Sequence, residues 1–120
     1  MSSRSLIRGS AVALVFAAAC SGAGADQTVS FEAQDFAYTG LQVEAKAGDK
    51  VTFSMRNAGS ADHEFEVFDP DGKALGEIEP VSAGKTGKFT LKLTKPGTYT
   101  FVCGVSDHEA RGMQGTFEVR

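Results

Sequence analysis

The 120-residue chain is poor in the side chains from which large metal centres are built. Two histidines, two cysteines and three methionines are its whole stock of soft or borderline metal ligands. An enzyme with several histidine-rich metal centres cannot be assembled from that stock. Twelve lysines and arginines face fifteen aspartates and glutamates, for a net charge of −3. The chain therefore lacks the basic excess that would indicate nucleic acid or an anionic membrane surface as a partner.

Long hydrophobic runs and helical periodicity are also missing. The charge-free apolar run at residues 10–19 is about half as long as the ~20 residues that a membrane-spanning helix needs. No segment has apolar residues at the spacing of a convincing amphipathic helix. Hydrophobic residues make up 42% and charged residues 22% of the chain, which excludes wholesale disorder. Length and composition together indicate one globular domain.

From Thr28 onward, apolar and polar residues alternate, which is typical of strands with one buried and one solvated face. Turn signals rich in Gly, Pro, Asn and Asp separate the alternating runs. The pattern predicts an all-β fold over residues 26–120, an antiparallel Greek-key β-sandwich or barrel of seven or eight strands. The alternating runs lie at residues 29–31, 41–45, 51–55, 65–67, 89–93, 99–101 and 117–119.

Residues 1–25 are typical of a secretory signal, with Arg4 and Arg8 ahead of the apolar run and small residues after it. We therefore expect the mature protein outside the cytoplasm, in the periplasm or at the cell surface. Cys20 ends the run in a segment similar to a lipobox, which favours a lipoprotein anchored to the membrane only through that lipid. The alternative is cleavage after Ala25. A disulfide between Cys20 and Cys103 is a rival use of the two cysteines.

The stretch that carries chemistry is Cys103-x4-His108-x4-Met113, which begins where a predicted strand ends. His63 lies 40 residues upstream of Cys103 and has the inward parity of its own strand. Two imidazoles, one thiolate and a weak thioether form the ligand set of an electron-transfer copper site. Each residue alone would be an ordinary core or surface residue, but together they predict a metal centre. Zinc would accept the histidines and the cysteine but gains little from the thioether.

These residues resemble those of the cupredoxin, or blue-copper, family, which includes plastocyanin, azurin and auracyanin. The resemblance spans residues 28–120 and includes the turn at 95–99, the Cys/His/Met loop and the segment 112–119. It implies one copper ion that transfers single electrons between redox partner proteins, in a monomer that is not an enzyme. It also implies His63, Cys103 and His108 as equatorial ligands, Met113 as the axial ligand, and the outer edge of His108 as the electron port within an apolar patch.

One position departs from the family pattern. Many electron-transfer cupredoxins have Asn after the upstream histidine, whereas this chain has Glu64. The sequence His63-Glu64-Phe65 is more similar to the cupredoxin module of periplasmic iron- and copper-uptake proteins. A copper-capture or metal-uptake accessory module without electron shuttling is therefore the alternative function, and Glu64 and Glu66 stand where carboxylates could hold a harder ion. A metal-free adhesion domain is a third alternative.

The N-terminal analysis predicts that the native protein begins at a lipidated Cys20. Mass spectrometry of the protein purified from its own membranes should give a first residue of Cys20 carrying the added lipid mass. An unmodified N-terminus at Asp26 would contradict the lipoprotein interpretation and leave ordinary secretion.

Overall fold

Alternating side chains produce eight β-strands in the computed structural model, which describes residues 24–120. No helix occurs within this range, and the all-β architecture with seven or eight strands is confirmed. The strands are β1 (Asp26–Gln34), β2 (Ala37–Thr39), β3 (Lys50–Asn57), β4 (His63–Phe68), β5 (Ala74–Val81), β6 (Thr86–Lys92), β7 (Gly97–Val102) and β8 (Gln114–Val119).

Residues 1–23, which contain Cys20 and nearly all of the predicted export signal, lie outside the described residues, so the predicted boundary between residues 25 and 26 stays a prediction. None of the described residues forms a helix of the length and hydrophobicity that crossing a membrane requires.

The strands form two sheets of four, in the orders β2-β1-β3-β6 and β5-β4-β7-β8. Neighbouring strands are antiparallel except for β1 and β3, which pair in parallel from Asp26↔Lys50 to Ala33↔Asn57. Parallel neighbours need a long crossover connection. Residues 35–49, which include the short strand β2, supply it here. The alternation in the sequence, which reports only which face of a strand is buried, did not predict this parallel pair.

The segment 41–45 was expected to form a strand, but the structure contains only an isolated parallel bridge there, between Ala45 and Val119. Leu41 and Val43 are half-buried and Ala45 is buried, so the alternation does reflect one inward face. The segment crosses from β2 in the first sheet to the edge of β8 in the second. Its main-chain bonding to that edge is brief, with the Arg120 N–H donating to the Ala45 carbonyl at 3.0 Å.

Aromatic side chains fill the space between the two sheets. Phe65 on β4 packs against Phe31 and Phe53 of the first sheet, with ring centroids 4.8 and 5.1 Å away, and against Phe101 of its own sheet at 5.3 Å. Phe65 and Phe53 are fully buried. Because side chains on one face of a strand recur every second residue, the inward position of Phe65 also directs the side chain of His63 inward.

Candidate metal centre

Two neighbouring strands bring His63 and Cys103 together. β4 begins at His63 and is antiparallel to β7, with Val67 opposite Phe101 and Glu66 opposite Val102. The first residue of β4 therefore lies at the same end of the sheet as Cys103, which directly follows β7. Both side chains are fully buried. The Glu64 N–H donates to the Cys103 Sγ at 3.4 Å, which ties the start of β4 to the thiol.

The loop after β7 carries the remaining predicted site residues and is closed by its own main chain. The Cys103 N–H donates to the Met113 carbonyl at 3.0 Å, and the Met113 N–H donates to the His108 carbonyl at 3.1 Å. The His108 N–H in turn donates to the Val105 carbonyl at 3.1 Å. Ser106 has a left-handed φ of 48°, which lets the chain turn sharply enough to aim His108 back toward Cys103. The His108 Nδ1 lies 3.6 Å from the Cys103 Sγ.

His63, Cys103 and His108 each offer one ligand atom, and these atoms all lie within 4.8 Å of one another. The His63 Nδ1 is buried and has no hydrogen-bond partner among residues 24–120. A buried polar atom without a partner costs about 1–3 kcal/mol, so this lone pair is suited to a metal ion. Two imidazole nitrogens and one sulfur favour copper or zinc over harder cations. The residues present therefore fit the predicted copper ion.

Met113, the fourth predicted site residue, is fully buried. Its main chain is hydrogen-bonded to both Cys103 and His108, which holds it at the same end of the sandwich. Ligation by its thioether stays a prediction.

Asp35, in the turn between β1 and β2, holds the other nitrogen of His63. Its Oδ1 lies 2.6 Å from the His63 Nε2, and its carboxylate also accepts the N–H groups of Ser60 at 2.8 Å and Ala61 at 3.2 Å. These hydrogen bonds hold the pKa of Asp35 below its ordinary value, with the Ser60 N–H having the largest effect and His63 the next largest. Gly59 makes the approach possible, since a Cβ there would lie 2.3 Å from the Asp35 Oδ1 and 3.0 Å from the His63 Nε2.

Asn57, the last residue of β3, shapes the loop that leads into His63. Its buried side-chain amide donates to the carbonyls of Ala61 and Val81, both at 2.7 Å, and its Oδ1 accepts the Gly59 N–H at 2.9 Å. Three hydrogen bonds from one fully buried side chain fix where the loop ends and where β4 begins. The position of His63 therefore depends on Asn57.

Phe36 covers the imidazoles from the solvent side. Its ring centroid lies 4.8 Å from that of His108 and 6.2 Å from that of His63. The Arg111 guanidinium lies 4.4 Å from the Phe36 ring centroid and donates from Nε to Asp107 at 2.9 Å. That hydrogen bond lowers the pKa of Asp107. His108 is left only 5% exposed, so the site is close to the surface but shielded from bulk water.

Glu64 and Glu66, which the sequence singles out, form a separate group together with Glu77. Glu64, Glu66 and Glu77 each place a carboxylate oxygen within 4.8 Å of the others, and Glu66 is directly opposite Glu77 in the β4–β5 pairing. Burial, followed by the charges of Glu77 and Glu64, raises the pKa of Glu66. Glu64 also turns toward the ligand loop, since a Cβ on Gly104 would lie 2.1 Å from its Oε1.

Sequence reasoning did not identify Asp35, Phe36 or Asn57. Asn57 begins an Asn-Ala-Gly-Ser segment whose composition indicates only a turn. Asp35 and Phe36 carry no local signal, because their roles arise only when the β1–β2 turn meets the start of β4.

Comparison with known proteins identifies a matching family model and several curated relatives. A family model described as a cupredoxin-like domain matches residues 8–117. Auracyanin-B of Chloroflexus aurantiacus is 32% identical over 79 residues, covering 64% of this chain and 34% of that protein. Rusticyanin of Acidithiobacillus ferrooxidans is 34% identical over 105 residues, covering 76% of this chain and 55% of that protein. The chain thus spans about a third to a half of the length of these curated relatives.

The fold has solved counterparts. Dithionite-reduced auracyanin from Roseiflexus castenholzii superposes with a TM-score of 0.70 at 20% identity, covering 81% of this chain and 99% of that structure. At this identity the likeness concerns the fold alone.

The geometry around Asn57 predicts that Asn57→Asp destabilises the copper-free protein at least as much as Asn57→Ala. Aspartate keeps the acceptor for Gly59 but cannot donate to the Ala61 and Val81 carbonyls, and it buries a charge. We expect each variant to lower the free energy of unfolding by about 1–3 kcal/mol, because buried carbonyl groups lose their hydrogen-bond partner. Urea denaturation measures this loss, and an unchanged midpoint for Asn57→Asp would contradict the assigned donor role.

Proposed function

The chain belongs to the cupredoxin-like family, and we propose that it binds one copper ion and transfers single electrons outside the cytoplasm. His63, Cys103 and His108 are the proposed equatorial ligands and Met113 the axial one. The observation that carries the proposal is the convergence of two buried imidazoles and one buried thiol within 4.8 Å. The unpartnered Nδ1 of His63 supports it, because that nitrogen has no other use within the described fold.

The donor atoms suit a redox ion. Bound copper would supply the chemistry, since it changes between Cu(I) and Cu(II) by one electron. The Cys103 sulfur is soft, and the imidazoles are borderline donors that accept both oxidation states. The Glu64 N–H, 3.4 Å from the Cys103 Sγ, donates to the sulfur and helps to hold it in place.

The chain holds these donors in place before any ion arrives. The Asp35 carboxylate fixes the ring of His63. Main-chain hydrogen bonds within the loop fix Cys103 and His108. Donors that are packed and hydrogen-bonded on rigid elements change little in position. A small rearrangement between the two oxidation states is the condition for fast electron transfer.

The surroundings of the centre support a carrier rather than an enzyme. Both histidines of the chain are taken up by this one site, which leaves no imidazole for a second, catalytic copper. His108 and Phe36 lie together near the surface, and we infer that redox partner proteins contact this end of the sandwich. Export follows from the predicted signal in residues 1–25.

Replacing the sulfur tests the ligand set. Cys103→Ser should abolish the strong visible absorption of the copper-loaded protein, because that band arises from charge transfer between a thiolate and Cu(II). Circular dichroism should still report the β-sandwich. The matched control is Met55→Leu, which removes a sulfur at a buried residue that is not a proposed ligand and should keep the band. A band that survives Cys103→Ser would contradict the assignment.

Replacing the thioether tests the axial position. Met113→Leu should leave copper bound and raise the reduction potential, because a purely apolar neighbour favours the less charged Cu(I). Cyclic voltammetry measures the shift, with Met55→Leu as the control at another fully buried methionine. An unchanged potential in Met113→Leu would contradict the axial role. Slow or irreversible voltammetry of the unsubstituted protein would instead favour the copper-capture alternative.

A further inference from the structure

Asp35 is a partly exposed turn residue whose carboxylate contacts a buried histidine, His63. The carboxylate accepts from the Ser60 and Ala61 N–H groups, which fixes its orientation. The same carboxylate then reaches the His63 Nε2 at 2.6 Å. The Asp35 side chain is 28% exposed while the His63 side chain is fully buried. A partly solvated anion is therefore held against the Nε2 of a buried imidazole.

The contact determines which ring nitrogen of His63 carries the proton. A carboxylate accepts hydrogen bonds and cannot donate them when ionised, so the Nε2 must be the protonated nitrogen. In the neutral ring the Nδ1 is then an unprotonated lone pair, and it is the nitrogen that lacks any protein partner within residues 24–120. Asp35 thus prepares His63 to ligate through Nδ1 before a metal is present.

The space around the pair is built for this contact. A Cβ on Gly59 would overlap both the Asp35 Oδ1 and the His63 Nε2, so the glycine leaves room where a larger residue would separate them. The amide of Asn57 holds Gly59 in turn. Three chain segments, the β1–β2 turn, the loop at 58–61 and the start of β4, therefore converge on one hydrogen bond.

We propose that Asp35 is a positioning residue of the copper centre, one that fixes the Nδ1-ligating tautomer of His63 and lowers the reduction potential through its negative charge. The inference rests on the proposed copper function. A carboxylate behind a metal-bound histidine makes the ring a stronger donor, and losing such a partner typically costs ~10–100-fold in metal affinity. The anion stabilises the doubly charged Cu(II) more than Cu(I), so its removal raises the potential.

The test compares Asp35→Asn with Asp62→Asn in the copper-loaded protein. Asparagine at position 35 has nearly the same shape and still offers one oxygen to the His63 Nε2, so this variant removes the charge and, of the carboxylate's contacts, gives up the one that accepts the Ser60 N–H. Asp62 is exposed and directly precedes His63, so its replacement removes the same charge without touching the ring. We expect Asp35→Asn to weaken Cu(II) binding about tenfold or more relative to Cu(I). For a one-electron couple, a tenfold change in that ratio corresponds to about 59 mV. Asp62→Asn should shift the potential by much less.

A second measurement addresses the tautomer without copper. Ring nitrogen chemical shifts in the NMR spectrum of the copper-free protein should show His63 protonated at Nε2. Asp35→Ala should mix the two tautomers, and Asp35→Asn should restore the single one. Equal potential shifts in Asp35→Asn and Asp62→Asn, or an unchanged tautomer in Asp35→Ala, would overturn the inference. If the unsubstituted protein binds no copper with a thiolate band, the proposed function fails instead, so the two failures are distinguishable.

Discussion

The candidate metal centre is organised around one buried ring nitrogen. The Nδ1 of His63 lies inside the fold without a hydrogen-bond partner among residues 24–120, a situation that folded proteins rarely tolerate. The Nε2 of the same ring is held by Asp35, so the ring cannot turn to satisfy its free side. Cys103 and His108 each place a donor atom within 4.8 Å of a His63 ring nitrogen. An ion that binds all three would stabilise the folded state by mass action, because the unfolded chain has no such site.

The sandwich supplies this arrangement through ordinary packing. Phe65 and Phe101 pack together in the core, and each is two residues from a proposed ligand on the same face of its strand. The hydrophobic pairing of β4 with β7 thereby also fixes the spacing between His63 and Cys103. The loop from Cys103 to Met113 then needs only its main-chain hydrogen bonds to bring in His108. Stability and site geometry share the same contacts, and disturbing one end of the core is expected to disturb the metal centre.

Much of this could be predicted from the sequence, and the failures have clear physical causes. Alternation revealed most strands because each has one buried face, but it could not distinguish a strand from the crossing segment 41–45, which also has one. The Cys/His/Met loop was predictable because its residues are close in sequence, and His63 because it is the one other histidine. Asp35 and Asn57 could not be predicted, since each acts on residues that reach it only through tertiary contacts.

X-ray absorption spectroscopy of the copper-loaded protein tests the central claim most directly, because it reports the atoms bound to the ion. The account predicts one copper per chain with one sulfur and two imidazole nitrogens in its nearest shell. The fold offers a rival in the carboxylates of Glu64, Glu66 and Glu77, which would bind an ion through oxygen. A nearest shell of oxygens without sulfur would contradict the assignment of His63, Cys103 and His108 as the copper ligands.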